Sequence, residues 1–425
     1  SSDLSESLQG KRMKAQYQIL GVVGKGKYGK VCQVRKNSNG RLFAMKVIPK
    51  DILRTDKQVE HILTERHILK HVKCKFLVAL DASFQTKSNL YFIMEWIPGG
   101  ELFYHLEKEK KFSEARTKLY IAEILLALEY LHSNSIIYRD LKLENVVLDA
   151  EGHIKLTDFG LSRLLRRGEK GAGTFCGSPE YLAPEILLGK QYDKMVDFWA
   201  VGVLAYEMIN GLPPFFSSNR NTLYSLIIHQ ALKIPAHFST EMTSFAENML
   251  SKEVSTRLGY SGGVQELLAH AWFSSLDIDA VRRAEVTPEF LPSIVSKRTV
   301  SVNDFEKGKG DGSASTGNAM NEGGQLSPTP HDVPRAAGLS SDVSVASFLG
   351  NGNGSSSDGS SLHGWTEPSS QVPWGEDLFV DEEFKAMSLP GSRRGSKDSS
   401  VLDIEGFTVQ NNMMLDTIGE EDEME

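Results

Sequence analysis

The sequence predicts an α+β fold in two lobes: a small antiparallel sheet carrying one key helix, and a larger, mainly helical lobe. Two observations carry this. From Tyr17 to about residue 100 the apolar residues follow strand-like patterns broken by one helix-spaced run, and from there to Phe273 the spacing turns helical. A third observation bounds the folded part. From about Ser296 to Gly375 the composition collapses into Gly, Ser, Asn and Asp, too poor in apolar side chains to offset the entropy of ordering.

Taken in order, "YQILGVVGKGKYGKVCQVRK" and "RLFAMKVIPK" read as strands joined by glycine-bearing turns. "KQVEHILTERHILKHV" then places Val59, Ile62, Leu63, Ile68 and Leu69 at helical spacing, and "LYFIMEWI" returns to strand. Four helices follow, in "TKLYIAEILLALEYLHS", "MVDFWAVGVLAYEMINGLPPF", "TEMTSFAENML" and "GVQELLAHAWF". The second is apolar nearly all round, the pattern of a helix at the centre of the larger lobe.

The chain has 425 residues, 40% hydrophobic and 24% charged, enough for one large or two ordinary domains. Residues 1–290 hold 38 Lys and Arg against 33 Asp and Glu, whereas residues 291–425 hold 9 against 22. The two parts therefore obey different rules. No apolar run approaches the roughly 18 residues of a membrane span, since "YIAEILLALEYL" is cut by Glu123 and Glu129. "SSDLSESLQG" lacks the basic and apolar regions of a signal peptide and lacks Met, so further N-terminal residues are expected to be missing. Cys32, Cys74 and Cys176 are scattered and odd in number, which argues against a disulfide framework or a zinc site. A reducing compartment is expected, cytoplasmic with nuclear access.

The glycines of "GKGKYGKV", Gly24, Gly26 and Gly29, would let backbone amides approach a polyphosphate. Alone they fit a dinucleotide-binding turn or an ordinary hairpin equally well. Three further stretches add chemistry. "FAMK" supplies Lys46, "YRDLKLEN" supplies Asp140, Lys142 and Asn145, and "TDFG" supplies Asp158, followed by "APE" at Ala183 to Glu185. In this order they resemble the signature set of a protein kinase. The resemblance implies a bilobal kinase fold with ATP in the cleft. A dinucleotide-binding enzyme would need a parallel βαβ unit, which the antiparallel strands around the glycines do not offer.

Phosphoryl transfer spreads negative charge over oxygens, so such a site positions and neutralises. The resemblance implies that Lys46 holds the phosphates and pairs with Glu65 in "HILTER". It implies that Asn145 and Asp158 ligate Mg²⁺, that Asp140 orients or accepts the substrate hydroxyl proton, and that Lys142 offsets charge on the transferred group. The ATP pocket would be Gly24, Gly26, Gly29, Val31, Ala44 and Lys46, with Met94 as gatekeeper and Glu95 to Ile97 as the hinge. Asp197 would clamp the catalytic loop, and Glu185 would pair with Arg257.

"GTFCGSPEYLAPEIL" and "IIYRDLKLEN" resemble the AGC group, which includes the cyclic-nucleotide-dependent kinases, protein kinase B, the serum-regulated kinases and the ribosomal S-six kinases. "GKGKYGKVCQVRK", "FQTKSNLYFIMEWIPGGELFYHLEKE" and the tail lean toward the ribosomal S-six kinases. Leu143 stands where many kinases carry proline, as in protein kinase B. The implied enzyme is a serine/threonine kinase, with Glu101, Glu144 and Glu207 receiving arginines upstream of the target residue, because a guanidinium grips a carboxylate through two bonds. Thr174 is the implied activating phosphosite, with His61, Arg139 and Arg163 as its cations and an upstream kinase of the phosphoinositide-dependent type as its writer. A monomer without nucleic-acid partner or membrane module is expected.

The resemblance divides the chain into an N-terminal extension 1–16, a kinase domain 17–273, the start of an AGC C-terminal extension 274–295, a disordered insertion 296–375, a tail 376–410 and an acidic terminus 411–425. In "IEGFTV", Phe407 and Thr408 match the hydrophobic motif of related kinases, while Ile404 and Val409 replace aromatic residues. Thr408 is the implied phosphosite there, and the turn-motif site is Ser388 or Ser392. The other functional class is a pseudokinase scaffold that uses the tail as an interaction element. A decayed enzyme would be expected to break the set Lys46, Asp140, Asn145 and Asp158, which here is intact.

Overall fold

The computed structural model describes residues 9–26, 29–165, 169, 171–294, 407 and 409–410. Ser388, Ser392, Ile404 and Thr408 lie outside them, as do the insertion and the acidic terminus. A short helix, α1, spans residues 9–14. Strands β1 (Tyr17–Gly26), β2 (Gly29–Lys36), β3 (Leu42–Pro49), β4 (Leu80–Gln85) and β5 (Asn89–Glu95) form an antiparallel sheet in the order β1-β2-β3-β5-β4. The helix α2 (Asp56–His71) interrupts it in sequence and packs against β4. Its start is a capping box: the Thr55 hydroxyl accepts from the Gln58 amide, and the Gln58 side chain accepts from the Thr55 amide.

The small lobe keeps part of the chain expected to be an extension. Met13 of α1 is buried with Tyr17, Phe43 and Phe84. β4 was not legible as a strand because the alternation that marks one is absent: Ser83 and Gln85 are buried alongside Ala82 and Phe84.

The large lobe is helical, with α3 (Leu102–Glu109), α4 (Glu114–Ser133), α5 (Pro184–Leu187), α6 (Met195–Asn210), α7 (Arg220–His229), α8 (Thr240–Met249), α9 (Gly263–Leu268) and α10 (Ile278–Arg282). Two short two-stranded sheets lie between α4 and α5. They are β6 (Ile136–Ile137) with β9 (Arg163–Leu164), and β7 (Val146–Leu148) with β8 (Ile154–Leu156). As its all-round apolar sequence predicts, α6 is buried along its length, packing against α4 and α8. It stops at Gly211, whose φ of 84° is open to glycine and whose Cβ would meet the Lys110 carbonyl. "GVQELLAHAWF" is not one helix: α9 ends at Leu268, and His270 Nδ1 then accepts from the Trp272 amide to start a separate turn at Ala271–Phe273.

Glu185 and Arg257 form the expected pair, bidentate at 2.7 and 2.9 Å and buried, with Arg257 also donating to the Met195 carbonyl at 2.9 Å. Replacing Arg257 with Met would leave a buried carboxylate without its cation. The expected cost is about 3–5 kcal/mol. Denaturant melts should show it, and Glu185→Gln on top of Arg257→Met should recover part of the loss.

Candidate active site

The glycine-bearing turn is a hairpin in which Gly24 pairs with Val31 and Gly26 with Gly29. Glycine is required at 29, where a Cβ would lie 2.0 Å from the Val47 carbonyl oxygen. One strand further in, Val31 pairs with Lys46 and Ala44 with Met94. This ladder brings the expected ATP-pocket residues of three strands side by side.

Lys46 reaches two carboxylates. Its Nζ lies 2.5 Å from Glu65 Oε1 on α2 and 3.3 Å from Asp158 Oδ1 of the large lobe. Burial alone would push the ammonium down, but Asp158 and Glu65 outweigh it and hold its pKa up. Burial raises Glu65 against the pull of Lys46, whereas Lys46 holds Asp158 below the usual carboxylate range. With Nζ this close to Oε1, we take the Lys46–Glu65 pair as ionised. Asp158 sits at φ 57° and accepts from the Gly160 amide at 3.2 Å. Its side chain is 52% exposed, so the carboxylate is open to the cleft.

The catalytic loop is held from below. Asp197, at the start of α6, accepts from the Tyr138 amide at 2.9 Å and the Arg139 amide at 2.8 Å, and contacts His132 Nε2 at 2.7 Å. Those bonds fix the loop where Arg139 takes φ 67°, a conformation rare outside glycine. Asp140 follows at once, 8% exposed. Its Oδ2 contacts Lys142 Nζ at 3.0 Å and accepts from Asn145 Nδ2 at 2.9 Å, and its Oδ1 accepts from the Ser178 hydroxyl at 3.1 Å. Lys142 also donates to Ser178, at 3.0 Å. Burial raises the Asp140 carboxyl, only partly offset by Lys142 and Asn145, which moves it toward a working base. Ser178 is a further residue of the site; its hydroxyl ties the segment after Thr174 to Asp140, and only its place in "GSPE" could have pointed to it.

Asn145 spends its amide nitrogen on the carbonyl and carboxylate of Asp140, so a cation would meet its amide oxygen. Together with the open carboxylate of Asp158 this is a hard oxygen donor set, and it fits Mg²⁺. The Glu95 amide donates to the Ala79 carbonyl at 3.0 Å and its carboxylate accepts from Lys155 and the Ala79 amide, fixing the end of β5 before Ile97.

Residues 17–273 match the protein kinase domain. The chain belongs to the protein kinase family. It is 47% identical over 291 residues to "Protein kinase 2" of Dictyostelium discoideum, covering 68% of this chain and 60% of that one. It is 45% identical to the "RAC family serine/threonine-protein kinase homolog" of the same organism, covering 68% and 65%. It is 43% identical to "Serine/threonine-protein kinase sgk-1" of Caenorhabditis elegans, covering 68% and 63%. The chain thus spans less than two thirds of the length of these relatives, which are of the AGC group.

The three glutamates expected to receive substrate arginines stand on separate supports. Glu101 precedes α3 and bridges to Val147, Glu144 sits in the turn Leu143–Asn145 against which α3 packs, and Glu207 lies on α6. Glu207 is buried and accepts from the Tyr181 hydroxyl. Glu144 differs, because its Oε2 is buried with no hydrogen-bond partner among the described residues.

One expected cation, Arg139, is linked to Thr174 through the Tyr192 hydroxyl. Arg139 donates to the Tyr192 hydroxyl at 3.2 Å, and that hydroxyl donates to the Thr174 carbonyl at 2.6 Å. Arg163 instead pairs through Nη2 with Glu169 at 2.8 Å. His61 lies half-buried on α2.

The tail returns to the small lobe of the kinase. Val409–Gln410 form a sixth strand, β10, paired antiparallel to β4 with Val409 opposite Ser83. Phe407 is fully buried, its ring edge-on to Phe92 at 5.4 Å and under the Arg66 guanidinium at 5.7 Å. Its carbonyl accepts from Arg66 Nε at 3.0 Å and from the Ser83 hydroxyl at 2.7 Å. This is strand addition to a sheet edge, anchored by one aromatic side chain. Arg66 directly follows Glu65 on α2.

Proposed function

We propose that this chain is an ATP- and Mg²⁺-dependent serine/threonine kinase that acts on proteins with arginines upstream of the acceptor. The observation that carries the reading is the link from Glu65 through Lys46 to Asp158, which joins both lobes around the catalytic loop. In this reading Lys46 holds the α- and β-phosphates, while Asn145 and Asp158 hold the metal. The metal they would hold, Mg²⁺, would supply positive charge to offset that of the phosphate oxygens. Asp140, raised by burial, orients the substrate hydroxyl and takes its proton, and Lys142 sits beside the oxygens that gain charge. The His132–Asp197 contact and the two amides on Asp197 keep that base in place.

The preference for arginine is supported by Glu144 Oε2, a buried acceptor with no hydrogen-bond partner among the described residues. A degenerate peptide library should select Arg before the acceptor. Glu144→Gln should lower kcat/KM for an Arg peptide by about 10–100-fold, the worth of a charged hydrogen bond, and should hardly affect a peptide lacking Arg. A library without Arg enrichment would overturn the preference.

Regulation in this reading runs through Thr174 and the tail, with a kinase of the phosphoinositide-dependent type writing Thr174. A phosphate there would carry about −1.5 to −2 charge and would draw on Arg139, Arg163 and His61. A second phosphate, on Thr408, would strengthen tail docking. The three cysteines are free, which suits a reducing compartment, and we place the kinase in the cytoplasm with access to the nucleus.

A further inference from the structure

Arg163 stands on β9, where it pairs with Ile137 across the short sheet, next to Leu161, whose carbonyl accepts from Arg139 Nε at 2.7 Å. Two of the cations assigned to the Thr174 phosphate are therefore built into one corner. In the chain without phosphate that corner already holds an anion: Glu169, five residues before Thr174, contacts Arg163 Nη2 at 2.8 Å.

We propose that Glu169 is a positioning residue, an internal surrogate for the Thr174 phosphate that holds the activation segment on Arg163 until phosphorylation displaces it. The inference rests on the reading of Thr174 as a regulatory phosphosite. Two observations support it beyond the contact itself. First, the pair is exposed at 37% and 32%, and ion pairs of that exposure bind weakly enough to be exchanged. A phosphate brings up to twice the charge and three acceptor oxygens, so it wins the guanidinium from a carboxylate. Second, Arg163 Nε is buried with no hydrogen-bond partner among the described residues. The carboxylate meets only one arm of the fork, whereas an oxyanion with three oxygens has a second acceptor for Nε.

The consequence is an ordered, partly competent segment before phosphorylation. Tyr192 already holds the Thr174 carbonyl, and Ser178 already holds the base Asp140. Glu169 ties the other side of the same segment to β9. After phosphorylation Glu169 becomes dispensable, because Arg163 has a better partner.

The test compares Glu169→Gln with the wild-type chain, each unphosphorylated and each phosphorylated stoichiometrically on Thr174, in turnover of a fixed Arg peptide. The proposal expects turnover of the unphosphorylated form to fall about threefold to fivefold, which is what a pair of this exposure can supply. It expects the phosphorylated forms to be equal. Hydrogen exchange over residues 171–181 should rise in the unphosphorylated variant only, and this readout serves even where basal turnover is low. An equal loss in both forms would mark Glu169 as a plain structural contact, and no loss or a gain in the unphosphorylated form would also overturn the proposal. If phosphorylating wild-type Thr174 leaves turnover unchanged, the regulatory reading of Thr174 fails on that arm. The unphosphorylated comparison still decides whether Glu169 orders the segment.

Discussion

Asp158→Asn is expected to remove nearly all phosphate transfer and to leave the fold standing. The substitution keeps the shape at φ 57° and the acceptor for the Gly160 amide, but removes the charge that faces Lys46 and, in the proposed reading, the metal. Loss of one preorganised charge at such a site costs about 10²–10³ in kcat, and loss of a metal ligand adds to it. Stability should respond in a defined direction. Lys46 depresses the Asp158 pKa, so the ionised carboxylate adds stability above the ordinary aspartate range, near 3.9, and that contribution is lost as pH falls through the lower folded value. The variant should therefore melt slightly earlier than wild type at neutral pH, with the difference closing in acid. Single-turnover transfer and thermal melts at several pH values check both halves. An active variant would mean that the charge on Asp158 is not needed.

Phe407→Ala is the second large effect, and it should appear at a distance from the chemistry. Phe407 is fully buried between Phe92 and Arg66, where deleting a phenylalanine side chain costs about 3–5 kcal/mol. The tail reaches its site as a separate segment, so that cost should undock the tail before it unfolds the lobe. The bound population should fall by two or more orders of magnitude relative to the free one. Arg66 Nε and the Ser83 hydroxyl then lose their shared acceptor. Because Arg66 follows Glu65 on α2, the loosened helix weakens the Glu65–Lys46 pair, and turnover should fall while affinity for the peptide changes little. A peptide of residues 401–410 added in trans to a chain truncated before residue 401 should restore part of the activity. Unchanged turnover and unchanged exchange in β4 and α2 would refute the coupling.

The residues assigned to ATP chemistry were legible because their types and spacings form the kinase motifs. Lys46, Asp140, Asn145 and Asp158 each sit in a short stretch whose order along the chain is itself the signal, and the structure brings them together. What escaped the sequence was made by contacts across it. Ser83 and Arg66 gain their role from Phe407, more than 300 residues away, and no local pattern announces that. β4 was hidden for the same reason, since the α2 side and the tail side both cover it and its polar residues become interior ones. Ser178 and Glu169 look like ordinary loop residues until their partners Asp140 and Arg163 are placed. Glu207 shows the reverse case: its burial was foreseeable from the apolar helix around it, but its bond to Tyr181 was not.

One measurement bears most directly on the central claim: transfer of labelled γ-phosphate from Mg·ATP to a serine peptide with upstream arginines, by the full chain, both unmodified and phosphorylated on Thr174. The account predicts labelled phosphoserine from wild type, more of it after Thr174 phosphorylation, and none above background from Asp158→Asn. Transfer by wild type no greater than by Asp158→Asn, in both forms, would contradict it.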